Sequence, residues 1–186
     1  MEAIKKIELN KIAKIILIAG IGTLLLTISA KIKIPFYPVP MTMQTFVVLF
    51  LGIVLGPKIS LLTISLYLFE GMFGLPVFAG TPEKGIGFIY FTGPTMGYLI
   101  GFLIAAYFSG SFKYNKGLIN TFFKLIFSVS LIYIFGLLWL GFLIGWDKPI
   151  FQLGAKPFLL AELFKILILS IIAGSLSKAG IRKKAT

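Results

Sequence analysis

The sequence contains neither cysteine nor histidine among its 186 residues. Without cysteine the chain cannot form a disulfide, a thiolate nucleophile or a thiolate-bound zinc or iron–sulfur site. Without histidine it has no Ser–His–Asp triad, no imidazole ligand for haem or zinc and no histidine proton relay. These absences exclude most of the chemistry that membrane enzymes use. We therefore expect no catalytic residue, no metal site and no cofactor.

Acidic residues are also scarce. Six Asp and Glu stand against eighteen Lys and Arg, and charged residues make up 13% of the chain, where a soluble domain has about 25%. Hydrophobic residues reach 58%. Several apolar stretches approach the roughly 20 residues that a transmembrane helix needs. The composition predicts one membrane-embedded domain over residues 1–186.

The formal charge of +12 could indicate a nucleic-acid partner. The basic residues, however, stand at the ends of apolar segments, where they anchor helices and set their orientation. We expect membrane lipid around the protein and no nucleic acid.

Six apolar runs predict an all-α polytopic fold with six transmembrane helices. We interpret the first run as a retained helix, although a signal peptide also begins with basic residues and an apolar core. The second and third runs are short for crossings, so five or seven crossings remain open. The runs cover about 12–30, 41–55, 59–73, 95–110, 118–144 and 158–176.

Six crossings place both termini on one side of the membrane. With cytoplasmic termini, the cytoplasmic segments hold eleven basic residues, and the opposite segments hold Lys31, Lys33, Lys84, Lys148 and Lys156. The positive-inside rule favours this orientation. The eleven are Lys5, Lys6, Lys11, Lys14, Lys58, Lys113, Lys116, Lys178, Arg182, Lys183 and Lys184.

Glu162 and Lys165 are the most informative polar residues. They are three positions apart in an apolar run and would share one helix face. Charges inside a membrane are costly and usually face a partner or a polar interior. One interpretation is an ion pair that only anchors the helix. The other is a binding site for a small ligand that has hydrogen-bond donors and an anionic group.

Three other polar residues have alternative interpretations. Gln44 could contact a ligand or cap the second helix. Tyr98 could line a pocket or lie at the membrane interface. Glu70 could bind a proton or a cation, or have a structural role near the fraying end of the third helix.

Two segments suggest a functional role that does not depend on reactive side chains. The stretch from 74 to 94 is rich in Gly and Pro, and an irregular segment of this length is usually functional. A patch of small residues in the first helix would allow a second helix to approach, within this chain or in a partner subunit. The patch consists of Ala19, Gly20, Gly22 and Thr23.

The chain has no phosphate-binding loop. Gly154-Ala155-Lys156-Pro157 lacks both the preceding glycine spacing and the following hydroxyl residue. If the protein drives transport with ATP, another chain hydrolyses it.

Five segments, in this order, resemble the BioY family. They are SAKIKIPFYPVPMTMQT at 29–45, LGIVLGPK at 51–58, GLPVFAG at 74–80, GPTMGY at 93–98 and PFLLAELFK at 157–165. The resemblance covers nearly the whole chain. It implies an S-component bundle, the biotin-binding subunit of an energy-coupling factor (ECF) transporter. Such a subunit works with a transmembrane coupling protein and two ABC-type ATPases. We expect the small-residue patch of the first helix to face the coupling protein.

The resemblance also implies substrate-binding residues. The family's acidic residue and lysine fall on Glu162 and Lys165, and other ligand-facing segments hold Gln44, Tyr98 and the loop of Ala79 and Gly80. The sequence departs from the family at two places: Glu162 stands where Asp is common, and Thr81-Pro82-Glu83-Lys84 stands where many relatives have a glycine-rich loop.

Two other functional classes remain as alternatives. A stand-alone secondary transporter or channel could use Glu70 or Glu162 as a coupling site, but no convincing repeat relates the two halves of the chain. A membrane enzyme is disfavoured by the missing His and Cys and by the single Asp, Asp147.

Overall fold

A computed structural model describes residues 2–35, 37–80 and 87–179, with side chains described from residue 9 onward. Residues 81–84, where the sequence departs from the family's glycine-rich loop, lie outside the described residues. So do the basic residues Arg182, Lys183 and Lys184 of the tail. The helices are α1 (Glu2–Lys31), α2 (Gln44–Met72), α3 (Met96–Ser111), α4 (Leu118–Ile144), α5 (Ile150–Gly154) and α6 (Leu159–Lys178). Two 3-10 turns, Gly87–Thr92 and Lys156–Phe158, precede α3 and α6.

The proline-rich segment between α1 and α2 excludes a helix, since each proline lacks an amide donor. It forms instead the turn of a short hairpin. Strand β1 (Lys33–Ile34) pairs antiparallel with β2 (Met41–Thr42), and Lys33 lies opposite Thr42.

The long helix α2 is folded back on itself at Gly56. This glycine has φ 77° and ψ 173°, a conformation that favours glycine, and Pro57 begins the next helical segment. Gln44 Nε2 lies 2.7 Å from the Tyr67 hydroxyl, whereas residues 23 apart in a straight helix would be separated by about 34 Å. The first arm, 44–55, and the second arm, 57–72, are therefore antiparallel.

The predicted six-helix membrane bundle is confirmed, with α1, the two arms, α3, α4 and α6 as its members. By length and composition alone, four helical segments are long enough to cross a membrane, one of which counts both arms of α2 together, and α3 is a shorter apolar helix. The second and third predicted helices correspond to the two arms. The four segments are Leu9–Lys31, Gln44–Met72, Leu118–Ile144 and Ile150–Lys178.

Helix α3 packs closely between α2 and α4 because glycines remove side chains at the crossings. A Cβ added to Gly101 would lie 2.6 Å from Ile132 Cα of α4. A Cβ added to Gly110 would lie 2.6 Å from Pro57 N at the fold-back. These backbone approaches are the close contacts that small residues permit in membrane helices.

The bundle has two distinct ends. The fold-back of α2, the segment between α3 and α4 and the end of α6 lie at one end, and Tyr114 and Lys178 line a common groove there. The hairpin, the segment between α2 and α3, and α5 lie at the other end. We call the latter the hairpin end.

In the small-residue patch of α1, the expected contact with a partner is wrong for three of the four residues. Ala19 and Thr23 are buried, and a Cβ on buried Gly22 would overlap the Thr63 side chain in the second arm of α2. These residues pack against this chain. Gly20 differs, because a Cβ there has no described heavy atom within 4 Å.

Candidate functional site

A cavity opens at the hairpin end between the first arm of α2, α3, α4 and the start of α6. Its walls are mostly aromatic and aliphatic, with a few polar groups, as is usual for small-molecule sites. The hairpin and residues 78–79 cover it. It is lined by Val39, Pro40, Met41, Thr42, Gln44, Thr45, Phe78, Ala79, Tyr90, Thr95, Tyr98, Leu99, Phe102, Ile132, Tyr133, Phe158 and Glu162.

Glu162 is the buried acidic group on this wall. Its residue is only 5% exposed, although it lies in the first turn of a membrane helix. Its Oε1 accepts hydrogen bonds from Thr45 Oγ1 at 2.9 Å and from Lys165 Nζ at 2.8 Å. Tyr133 of α4 lies near this carboxylate and also lines the cavity. Two hydrogen-bond donors, one from α2 and one from α6, therefore hold the group in place.

Lys165 lies behind Glu162 and is not among the cavity-lining residues. Its ammonium bonds to Thr42 O at 2.6 Å, Thr45 Oγ1 at 3.1 Å and Glu162 Oε1 at 2.8 Å. An ammonium has three protons, so these three bonds use all of them. The predicted pairing of Glu162 with Lys165 on one helix face is present, and the pair also ties α6 to the hairpin and to α2.

Gln44 lines the cavity but does not cap α2. Its Nε2 donates to the Tyr67 hydroxyl at 2.7 Å, and Tyr67 donates to Val77 O at 2.9 Å. Its Oε1 accepts from Thr42 Oγ1 at 3.2 Å, and α2 has no side-chain cap. The capping alternative is therefore wrong. Gln44 and Tyr67 connect the first arm of α2 to the loop before α3.

Tyr98 forms part of the cavity wall through its ring. Its hydroxyl donates to Gly154 O at 2.8 Å, which fixes the ring between α3 and α5. The ring meets Tyr133 edge to face with 6.0 Å between centroids. The interface alternative for Tyr98 is wrong, because the residue is buried inside the bundle.

The predicted loop of Ala79 and Gly80 contributes one residue to the cavity. Ala79 lines it, whereas Gly80 packs against the Tyr90 ring, whose Cε2 would lie 2.6 Å from an added Cβ. Phe78 stacks on Tyr90 at 4.5 Å between centroids. Burial raises the pKa of the Tyr90 hydroxyl, so Tyr90 stays neutral at physiological pH.

Two lysines hold this loop from the hairpin side. Lys31 Nζ donates to Phe78 O at 2.7 Å, and Lys33 Nζ donates to Ala79 O at 2.5 Å. Both acceptors belong to cavity-lining residues. The sequence predicted no such role, because the acceptors are backbone carbonyls 46 and 47 positions away.

Several other cavity residues were not predicted as site residues. Thr45 and Tyr133 both contact Glu162, yet neither has a distinguishing spacing or neighbour in the sequence. Glu70, in contrast, is not on the cavity wall. Within the described part of the chain, no group of three or more acidic side chains could hold a metal ion.

The fold and the cavity define a polytopic α-helical membrane protein with a mostly apolar cavity at one end of the bundle. The model of the BioY family matches residues 3–182, so the chain belongs to this family.

Similar proteins agree with the assignment. The probable biotin transporter BioY of Pyrococcus horikoshii is 35% identical, over 87% of this chain and 94% of that protein. The biotin transporter BioY of Thermotoga maritima is 34% identical, over 89% and 96%. A crystal structure of the S-component for biotin from an ECF-type ABC transporter has the same fold. Its TM-score is 0.77 at 24% identity, and the match covers 95% of this chain and 97% of that one.

Proposed function

We propose that the protein is the biotin-binding and uptake subunit, or S component, of an ECF-type vitamin transporter. The observation that carries the proposal is the position of Glu162, a buried carboxylate held by two donors on the wall of a mostly apolar cavity. The biotin transporters among the relatives support biotin as the ligand.

The Glu162 carboxylate suits the ureido ring of biotin. This ring carries two N–H donors, and an ionised carboxylate has about four acceptor sites. The hydrogen bonds that Glu162 accepts within the described residues come from Thr45 and Lys165. Capacity therefore remains for a ligand N–H, and such a charge-assisted bond is stronger than a neutral one.

The aromatic walls suit the apolar bicycle of biotin. Tyr98, Tyr133 and Phe158 form one group of contacting rings in the cavity wall, and Phe78 with Tyr90 forms another. Burying apolar surface between such rings contributes roughly 25 cal/mol per Å². Gln44 is the remaining polar wall residue for which we propose ligand contact.

The charge distribution supports an orientation with both termini cytoplasmic. The end of the bundle that holds the α2 fold-back carries Lys58, Lys113, Lys116 and Lys178. Lys124 donates to Lys113 O at this same end. The cavity at the hairpin end would then receive biotin from outside, and a coupling protein and two ATPases would drive its release inward.

Titration of the purified chain with vitamins tests the proposal. We expect saturable binding of biotin at about one molecule per chain, and no saturation with thiamine or riboflavin, which lack the ureido ring. Isothermal calorimetry measures both affinity and stoichiometry. Absence of saturation with biotin would refute the proposed function. Uptake by the chain alone in liposomes without ATP would instead identify a self-sufficient transporter.

Two glycine substitutions in α1 test the partner contact. Gly20→Leu adds a side chain to an open surface, so we expect normal thermal stability and biotin affinity with impaired assembly or uptake. Gly22→Leu must displace Thr63 and should lower the melting temperature by overpacking. Co-purification with the coupling protein measures assembly. Unimpaired assembly and uptake of the Gly20→Leu protein would remove this face of α1 from the interface.

A further inference from the structure

The cluster around Glu162 suits hydrogen-bond donors but not an anion. All three protons of Lys165 are used on Thr42, Thr45 and Glu162, and the Glu162 carboxylate repels negative charge. Biotin, however, ends in a carboxylate. If the proposed function is correct, another part of the cavity must receive that group.

Lys31 and Lys33 provide an exposed cationic pair beside the cavity, where each binds a carbonyl of a residue that lines it. Lys33 lies opposite Thr42 in the hairpin, and Thr42 lines the cavity. From there its side chain reaches Ala79 O, while Lys31 reaches Phe78 O from the end of α1. The two lysines therefore link α1 and the hairpin to residues 78–79.

Both ammonium groups retain donors and lack a counter-charge among the described residues. Each has three protons, and the structure between residues 9 and 179, outside 36 and 81–86, shows one bond for each. The ion pairs in this part of the chain are those of Lys148 with Asp147 and of Lys165 with Glu162. Two adjacent positive charges with unused donors favour a bound anion.

We propose that Lys31 and Lys33 form the carboxylate subsite of this transporter. The ammonium groups stay on the carbonyls of Phe78 and Ala79 and direct their remaining protons to the carboxylate of the ligand. The bound anion then neutralises the pair and joins α1, the hairpin and residues 78–79. A bound ligand then extends from Glu162 to the lysine pair, with its ureido ring at one end and its carboxylate at the other. The inference rests on the proposed function.

The test compares biotin with biotin methyl ester, which keeps the bicycle and chain but has no charge. The proteins are the full-length wild type and the Lys31→Gln/Lys33→Gln double variant. Glutamine keeps an uncharged N–H donor on a side chain that is one atom shorter. We expect the wild type to bind biotin about tenfold to a hundredfold more tightly than the ester. The double variant should lose this preference, with a larger fall in its affinity for biotin than in its affinity for the ester.

Two control variants test whether the positive charge of Lys31 and Lys33 causes the preference for biotin. Lys156→Gln removes a positive charge from an exposed residue at the same end of the bundle and should leave the preference for biotin intact. Lys31→Arg/Lys33→Arg keeps both charges and should restore most of the preference.

The possible outcomes separate the inference from the proposed function. A wild type that binds ester and biotin equally retains its function but has no carboxylate subsite. Equal losses for both ligands in the glutamine variant would show that the lysines only hold the loop. A wild type that binds neither ligand would overturn the proposed function itself.

Discussion

Replacing Lys165 by methionine is expected to weaken biotin binding about a hundredfold or more. The substitution keeps the apolar stem but removes three hydrogen bonds, to Thr42, Thr45 and Glu162. It also leaves Glu162 as a buried charge without its cation. The unpaired carboxylate must take up a proton or move, so the acceptor for the two ureido N–H groups is lost or misplaced. Hydrogen bonds to a charged group contribute about 1.5–3 kcal/mol each, and each 1.4 kcal/mol is about tenfold in affinity. Calorimetric titration with biotin measures the loss.

Glu162→Gln tests the charge of the carboxylate separately from its shape. Glutamine preserves the shape and one acceptor, so we expect a smaller loss of affinity than for Lys165→Met if hydrogen bonding to the ureido ring is the main role. The double variant Glu162→Gln/Lys165→Met removes both charges and should be more stable than Lys165→Met alone.

An ion pair that only anchors α6 gives a different result. Both single variants would then melt at lower temperature, but the folded protein would bind biotin as the wild type does. Measuring melting temperature and affinity on the same preparations distinguishes the two roles. Unchanged affinity in both variants would remove Glu162 and Lys165 from the site.

The helices could be predicted from the sequence because composition and length decide which segments enter a membrane. Gly56-Pro57 marked the break between the two arms correctly. The antiparallel course of the arms could not be derived from these residues, because it depends on the conformation at Gly56 and on the distant contact between Gln44 and Tyr67.

Gln44, Ala79 and Tyr98 of the cavity wall are predicted only through the family resemblance. From the residues alone, the site can be predicted only where its members are close in sequence. Glu162 and Lys165 are one turn apart, so helical geometry alone places them together. Thr45 is 117 positions from Glu162 and became part of the cluster only through the packing of α2 against α6. Tyr133 reaches the same carboxylate from α4. Neither residue can be assigned to the site from its neighbours in the sequence.

The small-residue patch shows a further limit of sequence patterns. Small residues permit close approach but do not say which helix approaches. In the structure the second arm of α2 covers Gly22, whereas Gly20 remains open. The spacing of the four residues around the axis of α1 divides them between two faces, and only the fold shows which face is occupied.

Gly136→Ala is expected to lower biotin affinity about tenfold to a hundredfold, although Gly136 does not line the cavity. A Cβ at this position would lie 2.5 Å from Tyr98 Cζ, well inside the distance of an ordinary carbon contact. The Tyr98 ring cannot simply turn away, because its hydroxyl is bound to Gly154 O at 2.8 Å. The ring must shift, and the cavity wall changes with it.

Gly174→Ala is the matched control for this effect. Gly174 also lies in a membrane helix, but a Cβ there meets no described atom within 4 Å. Alanine should therefore stabilise α6 by up to about 1 kcal/mol through its higher helix propensity and leave affinity unchanged.

Truncating the ring with Tyr98→Ala should remove the clash between this ring and an alanine at position 136. In that background Gly136→Ala should have little further effect on affinity, whereas an undiminished loss would show that Gly136 acts through a neighbour other than Tyr98.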